Sequence, residues 1–341
     1  MPTRSAPPKA IIFGCAGPSL SADEAEFFEA ADPAGFILFQ RNCVDPRQVR
    51  ALVAALKAAS GRPDTPVLID QEGGRVQRLK PPHWRAAPSA GKIAALAPAA
   101  AARAAWLNAR LIAEELAALG ITVDCAPVLD LPAIGAHDVI GARAFGADPA
   151  LAIRLGRAVM QGLTDGGVLP VIKHIPGHGR ALVDSHEACP MVDAPAAALE
   201  AQDLVPFQAF ADAPFGMTAH VVFTTWDASS PATLSARVIG EIIRGRIGFA
   251  GTLMTDDLSM KALGGSLPQR ATRALTAGCD LVLHCSGDLE EMKALADAVG
   301  VMNESSARRF ARSLACRSVP TSVDTAALLA ELEDLMAGAT V

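Results

Sequence analysis

The sequence lacks a basic surplus. Its 30 lysines and arginines are outnumbered by 36 aspartates and glutamates, for a net charge of −6. It has neither a lysine-rich tail nor bases interleaved with aromatics. Binding to a phosphate backbone needs both the charge and the pattern, so nucleic acid is not an expected partner. Long apolar runs are also missing. No stretch reaches the ~18 apolar residues of a membrane helix, and the apolar run near the start is too short for a secretory h-region with a cleavage site. A soluble, cytoplasmic protein without membrane contact is expected. The seven cysteines (15, 43, 125, 189, 279, 285 and 316) are odd in number and show no C-x-x-C spacing. Most sit among apolar residues, where cysteine packs as a small hydrophobe, so they read as reduced core residues rather than a disulfide frame.

What is present is apolar material: 51% of 341 residues are hydrophobic and 19% charged, enough for one large core. Short apolar runs of β character alternate with alanine- and leucine-rich helical stretches, the pattern of repeated βαβ units on a parallel sheet. Strands are predicted at 10–13, 35–39, 67–70, 122–125, 168–172, 215–218, 252–255 and 280–284. Helices are predicted at 22–31, 46–60, 99–119, 149–166, 194–211, 235–244, 267–277 and 289–300. Asp45 before Pro46 and Asp148 before Pro149 are N-caps followed by a first-turn proline. Gly120, Gly166 and Gly278 follow helical runs and are expected to end them in a left-handed conformation. The alanine-rich stretch 86–105 reads as helix, because alanine is the best helix former and the stretch has no disorder-type charge. Eight such units make an α/β fold, a (β/α)8 TIM barrel in a single domain over 1–341, with 303–341 as outer C-terminal helices.

Active sites of such barrels lie at the carboxyl ends of the strands, and polar residues gather there. Asp70 ends the third predicted strand, Asp130 follows the fourth, and Lys173 and His174 end the fifth. His220 follows the sixth, Asp256 and Asp257 end the seventh, and His284 ends the eighth. A lone Asp of this kind is as readily a helix cap or loop brace, but six strands ending this way on one rim point to an enzyme site. Residues 173–190, KHIPGHGRALVDSHEACP, then form a glycine- and proline-rich loop over the barrel mouth. His174 and His178 would share a face only on a helix, which Pro176 and Gly177 oppose, so no metal and no cofactor are expected. D-S-H at 184–186 sets a carboxylate two residues before an imidazole, a pairing that fixes the ring tautomer and leaves the other nitrogen free to exchange a proton.

These segments resemble glycoside hydrolase family 3, and within it the single-domain bacterial β-N-acetylglucosaminidases of peptidoglycan recycling. The likeness runs through GFILFQRN (35–42), DQEGGRVQRL (70–79), APVLDL (126–131), GARAFG (141–146), KHIPGHG with DSH (173–186), MTDDLSM (254–260) and AGCDLVLHC (277–285). It implies a retaining enzyme that removes terminal β-linked N-acetylglucosamine from N-acetylglucosaminyl muropeptides through a covalent glycosyl-enzyme; a monomer is expected. By motif position, Asp256 is the nucleophile and His186, supported by Asp184, the acid/base. Asp70, Arg78, Arg143, Lys173 and His174 bind the sugar. The family's G-E-R-S run is G-A-R-A here, so Arg143 lacks its acidic neighbour in sequence.

Asp256 must be ionised to attack, and Lys173 and Arg143 are expected nearby to favour that form. The pair Asp256–Asp257 could be mistaken for the two carboxylates of a substrate-assisted mechanism, but strand alternation should turn only one of them to the sugar. Three rival readings remain: a Schiff-base lyase using Lys173, a related β-glucosidase, and a sugar-binding barrel without catalysis.

Overall fold

The computed structural model describes residues 6–338; the last three residues of the outer segment expected at 303–341 lie outside them. Eight parallel strands close into a barrel: β1 (Lys9–Phe13), β2 (Pro33–Leu38), β3 (Val67–Ile69), β4 (Val123–Asp124), β5 (Leu169–Ile175), β6 (Phe215–Thr218), β7 (Thr252–Asp257) and β8 (Leu281–His284). Each strand pairs with its sequence neighbours, and β8 returns to β1 with Ile11 opposite Val282 and Phe13 opposite His284. All eight coincide with the predicted runs. Helices cover the outer face of the barrel and side chains fill its inside, so strands such as β2 and β5 are buried along their whole length and read as continuous apolar runs.

A helical segment follows every strand: α1 (Ala22–Ala31), α2 (Pro46–Ser60), α3 (Pro98–Ala117), α4 (Pro149–Asp165), α5 (196–209), α6 (Val238–Arg246), α7 (Leu267–Ala277) and α8 (Leu289–Ala298). The chain is thus a (β/α)8 barrel. Asp45 accepts from the N–H groups of Arg47 and Gln48, and Asp148 from that of Ala150, as the capping pattern predicts. Two helices depart from the regular period: the middle of α5 (Leu199–Asp203) and all of α6 are π-helical. Two further helices, α9 (Glu304–Ala315) and α10 (Thr325–Ala337), pack outside the barrel. The second lies on α3, where Leu332 joins an apolar cluster and Glu331 pairs with Arg103 at 2.7 Å.

The alanine-rich stretch resolves into a loop, a short helix Ala90–Ala94 and the start of α3. Further along, α3 packs closely on α4. Gly162 and Gly166 of the α4 segment face α3, and a Cβ added at Gly166 would stand 2.3 Å from that of Ala113. The two helices lie against one another through small residues. Gly120 and Gly278 take the expected left-handed conformation at φ 79° and 116°, but Gly166 does not. Its φ is −88°, and the chain turns one residue later at Gly167, φ 74°. Gly166 is required for close helix contact, not for the turn.

Among the described residues no helix is long and apolar enough to cross a membrane. No cysteine forms a disulfide; five are buried, Cys189 is half-buried and Cys316 exposed.

Candidate active site

The carboxyl ends of the strands open into a cleft of about 160 Å³. Seven of the eight expected residues line it: Asp70, Arg78, Arg143, Lys173, His174, His186 and Asp256. The eighth, Asp184, is bonded to His186.

The floor is a charge network. The Lys173 ammonium lies 2.8 Å from Asp70 Oδ1 and 2.6 Å from Glu72 Oε1. Arg78 donates to Asp70 Oδ2 at 3.0 Å, and Arg143 grips both oxygens of Glu72 at 2.8 and 2.9 Å. Burial raises the carboxyl pKa values of Asp70 and Glu72. Lys173 with Arg78 outweighs it for Asp70, and Lys173 with Arg143 outweighs it for Glu72, holding both below the usual range. Burial likewise lowers the Lys173 pKa, and Asp70 and Glu72 more than reverse it. A Schiff-base lysine needs the opposite, a depressed pKa that frees the amine, so this pairing argues against lyase chemistry.

The DQEGG run builds this floor locally. Gln71–Gly73 pairs antiparallel with Val76–Gln77, through a turn in which Gly73 and Gly74 have φ of 95° and 60°. A Cβ at Gly73 would also come within 2.4 Å of the Pro88 carbonyl oxygen. Buried Gln71 closes the hairpin, its side-chain oxygen accepting from the N–H groups of Arg78 and Leu79, and so sets Arg78 beside Asp70.

Two ladder irregularities shape the walls. The β5–β6 register slips between Lys173 and Ile175, and the β7–β8 register slips between Met254 and Asp257. Bulges of this kind re-aim side chains, and neighbouring residues come to line one cavity: Lys173 with His174, and Asp256 with Asp257. Both aspartates border the cavity, and hydrogen bonding separates them. The Asp257 carboxylate is tied to the Ser259 N–H and hydroxyl and to the Cys285 N–H, whereas the one bond described for the Asp256 carboxylate is from the Asp257 N–H at 2.8 Å. Burial raises the Asp256 pKa; His220, His174, the Asp257 N–H and Lys173 together bring it below the ordinary value. Lys173 was expected to act this way; Arg143 instead spends its charge on Glu72.

Behind the walls stand buried imidazoles. His220 Nε2 lies 3.0 Å from the Asp257 carbonyl and must donate to it; the neutral ring's Nδ1 then accepts from the Thr233 hydroxyl at 2.7 Å. Burial lowers the His220 pKa and favours this neutral form. Asp130 accepts from His174 Nδ1 at 2.6 Å and from the N–H groups of His174 and His178 at 3.2 and 2.7 Å, so His174 presents its other nitrogen to the cleft.

The loop after β5 leaves from this clasp. Two backbone bonds, Ala133 N–H to Gly179 and His137 N–H to Ala181, fasten it to the loop at 131–140, and His178 Nε2 meets the Ser185 hydroxyl at 3.1 Å. Beyond Ser185 the His186 side chain is 64% exposed at the cleft edge. Asp184 Oδ1 accepts from both its backbone N–H (2.9 Å) and Nδ1 (2.8 Å), leaving Nε2 unengaged by the dyad. Burial raises the Asp184 pKa, but the His186 amide and ring bring it below normal.

Glu72, Gln71, Asp124 and Asp130 escaped assignment from sequence. Glu72 stands two residues after Asp70 in an already conspicuous motif and supplies from another loop the acidic partner that Arg143 lacks beside it. Asp130 could be read as a strand-end carboxylate, but its grip on two histidines could not.

Residues 12–313 match the glycosyl hydrolase family 3 N terminal domain. Over 283 residues the chain is 42% identical to a β-hexosaminidase of Alkalilimnicola ehrlichii, covering 81% of this chain and 80% of that one. The structure of NagZ from Neisseria gonorrhoeae in complex with N-trifluoroacetyl-D-glucosamine aligns with a TM-score of 0.85 at 32% identity, covering 99% of this chain and 98% of that one. A family 3 β-N-acetylglucosaminidase from Paenibacillus sp. str. FPU-7 aligns over 96% of this chain with a TM-score of 0.84 at 31% identity, and the chain spans 66% of its length. A barrel cleft floored by paired charges and edged by a free carboxylate and an imidazole dyad fits this kinship: the chain belongs to glycosyl hydrolase family 3 and is a glycoside hydrolase of the β-N-acetylhexosaminidase kind.

Proposed function

We propose that this chain is a retaining exo-β-N-acetylglucosaminidase that releases terminal non-reducing N-acetylglucosamine from peptidoglycan-derived muropeptides, working as a single catalytic domain and a monomer in the cytoplasm. The observation that carries the mechanism is the contrast between neighbouring aspartates: Asp257 is consumed by its own loop, while Asp256 faces the cleft with its pKa lowered. An ionised carboxylate with few competing hydrogen bonds can attack an anomeric carbon. A substrate-assisted route would need a second carboxylate free to polarise the 2-acetamido group, and Asp257 is otherwise engaged.

In the first step Asp256 attacks C1, the glycosidic C–O bond breaks, and His186 Nε2 gives its proton to the leaving oxygen. In the second, the imidazole takes a proton from water as its oxygen displaces Asp256 from C1. Asp184 keeps the ring oriented through both steps and stabilises the imidazolium form. Asp70, held by Lys173 and Arg78, accepts sugar hydroxyls; Arg143 and His174 complete the subsite. The N-acylated glucosamine in the neisserial structure supports an N-acetylglucosamine-sized pocket here.

The test is trapping with a fluorinated N-acetylglucosaminyl donor, followed by peptide mapping. The adduct is expected on Asp256, and an adduct elsewhere overturns the assignment. Asp256→Asn should keep the fold while lowering kcat by about 10⁴ or more, the scale seen when an essential catalytic group is removed.

A further inference from the structure

Asp124, at the end of β4, has no part in the mechanism above. It is fully buried beneath the sugar-binding floor. Its Oδ1 accepts from the Gln71 N–H at 2.9 Å, which anchors the first residue of the DQEGG hairpin. Its Oδ2 is buried and has no hydrogen-bond partner among the described residues. The ionisable groups facing it are Lys173 from β5, Asp70 and Glu72 from the end of β3 and its hairpin, and Cys125 beside it.

The charges of this floor already balance without Asp124. Lys173, Arg78 and Arg143 face Asp70 and Glu72, and Asp256 lies at the rim. A further carboxylate below would be a buried charge with one orphaned oxygen, a costly arrangement, whereas the neutral acid is tolerated. Burial pushes the Asp124 pKa up to about 7, against the pull of the Gln71 N–H and Lys173 and with the help of Asp70 and Glu72. A lysine ammonium has three donors; two of those on Lys173 point to Asp70 and Glu72, and a newly ionised carboxylate beneath would compete for it.

We propose that Asp124 is a positioning residue that must be a neutral acid for the sugar-binding floor to be assembled, and that its ionisation draws Lys173 away from Asp70 and weakens sugar binding. This rests on the reading of Asp70 and Lys173 as sugar-binding groups. Asp124 touches neither the sugar nor the reacting atoms; it acts through Lys173 and through the hairpin that Gln71 begins. The alkaline loss of function should therefore fall on binding, separate from any alkaline loss in kcat that arises from the His186 dyad.

The experiment measures the inhibition constant of N-acetylglucosamine against hydrolysis of 4-nitrophenyl β-N-acetylglucosaminide from pH 5.5 to 8.5, for the wild type, Asp124→Asn and Asp124→Ser. In the wild type the constant should rise about tenfold between pH 6 and pH 8 if the ionised form does not bind. Asp124→Asn mimics the neutral acid and keeps an acceptor for the Gln71 N–H, so its constant should stay flat at the wild-type pH 6 level. Infrared difference spectra should show a protonated carboxyl band in the wild type at pH 6 that fades by pH 8 and is missing from both variants. A variant with the wild-type pH dependence, or a wild type without such a band, overturns the proposal. Lack of turnover by the wild type at pH 6 would instead defeat the assigned activity, and the band would still report on Asp124.

Discussion

At the scale of single residues, the floor of the cleft works because each of its three central charges, Lys173, Asp70 and Glu72, has two partners of opposite sign. Glu72 makes this testable: its side chain is 6% exposed and joins Lys173 to Arg143. Glu72→Gln keeps the shape and removes the charge, leaving Lys173 to share Asp70 with Arg78 and Arg143 without its carboxylate partner. Breaking a buried pair by neutralising one member costs about 3–5 kcal/mol, so thermal melting should fall by several degrees. With Lys173 and Arg143 loosened, KM should rise about tenfold while kcat changes less, the split expected when ground-state and transition-state binding are lost together. An unchanged KM would mean that Glu72 only stabilises the barrel.

At the scale of elements, the barrel was legible because each parallel strand is buried on both faces and so stands out as an apolar run. The site was legible because charged residues have few places to go at the end of such a run. Asp70, Lys173 and Asp256 could be found by that logic alone. The bulges at His174 and before Asp257 could not, since a ladder irregularity depends on the partner strand's register and leaves no mark in the run itself. The π-helical geometry of α6 was hidden for a related reason, because the apolar spacing of 238–246 fits an ordinary helix. Asp124 lies inside the predicted strand 122–125 with nothing in the sequence to mark it, since its burial beside Lys173 exists only in the closed barrel. The loop carrying His186 offers a prediction at this scale. Gly179 lies so close to the neighbouring loop that an added Cβ would stand 1.9 Å from the Leu131 carbonyl oxygen. Backbone atoms cannot yield as a flexible side chain can, so Gly179→Ala should lift the loop and with it the dyad. The expected result is a fall in kcat/KM of at least about tenfold, the order that small misplacements of catalytic groups produce, with the circular dichroism of the barrel retained. Gly264→Ala, where nothing lies within 4 Å of the added Cβ, is the control and should be silent. Equal activity in both variants would show that the loops are not mechanically linked.

At the scale of the whole molecule, the buried carboxyls divide into two sets with opposite effects on stability. Asp70, Glu72, Asp130 and Asp256 have lowered pKa values. Each contributes stability that is present above its unfolded value near 4 and is lost as pH falls through the folded value, so acid unfolding should begin only below about pH 4. Asp124 has the reverse sign. Its folded pKa of about 7 exceeds the unfolded value of 3.8, so in the window between them the native state holds a proton that the unfolded chain has released. Its contribution is complete below about pH 4 and gone above about pH 7, with a slope of roughly −1.4 kcal/mol per pH unit between, amounting to at most about 4 kcal/mol. Asp124→Asn removes that slope. Relative to the wild type, the variant should gain several degrees in melting temperature at pH 8 and little or nothing at pH 4.5, where the wild-type acid is already neutral in the fold. A gain of the same size at both pH values would mean that the substitution acts through packing and that Asp124 does not titrate in this window. Glu115 and Asp203 also have raised pKa values, but they lie outside the floor and are unchanged in the variant. They tilt both stability curves alike and cancel from the difference, which isolates the one carboxyl beneath the sugar site.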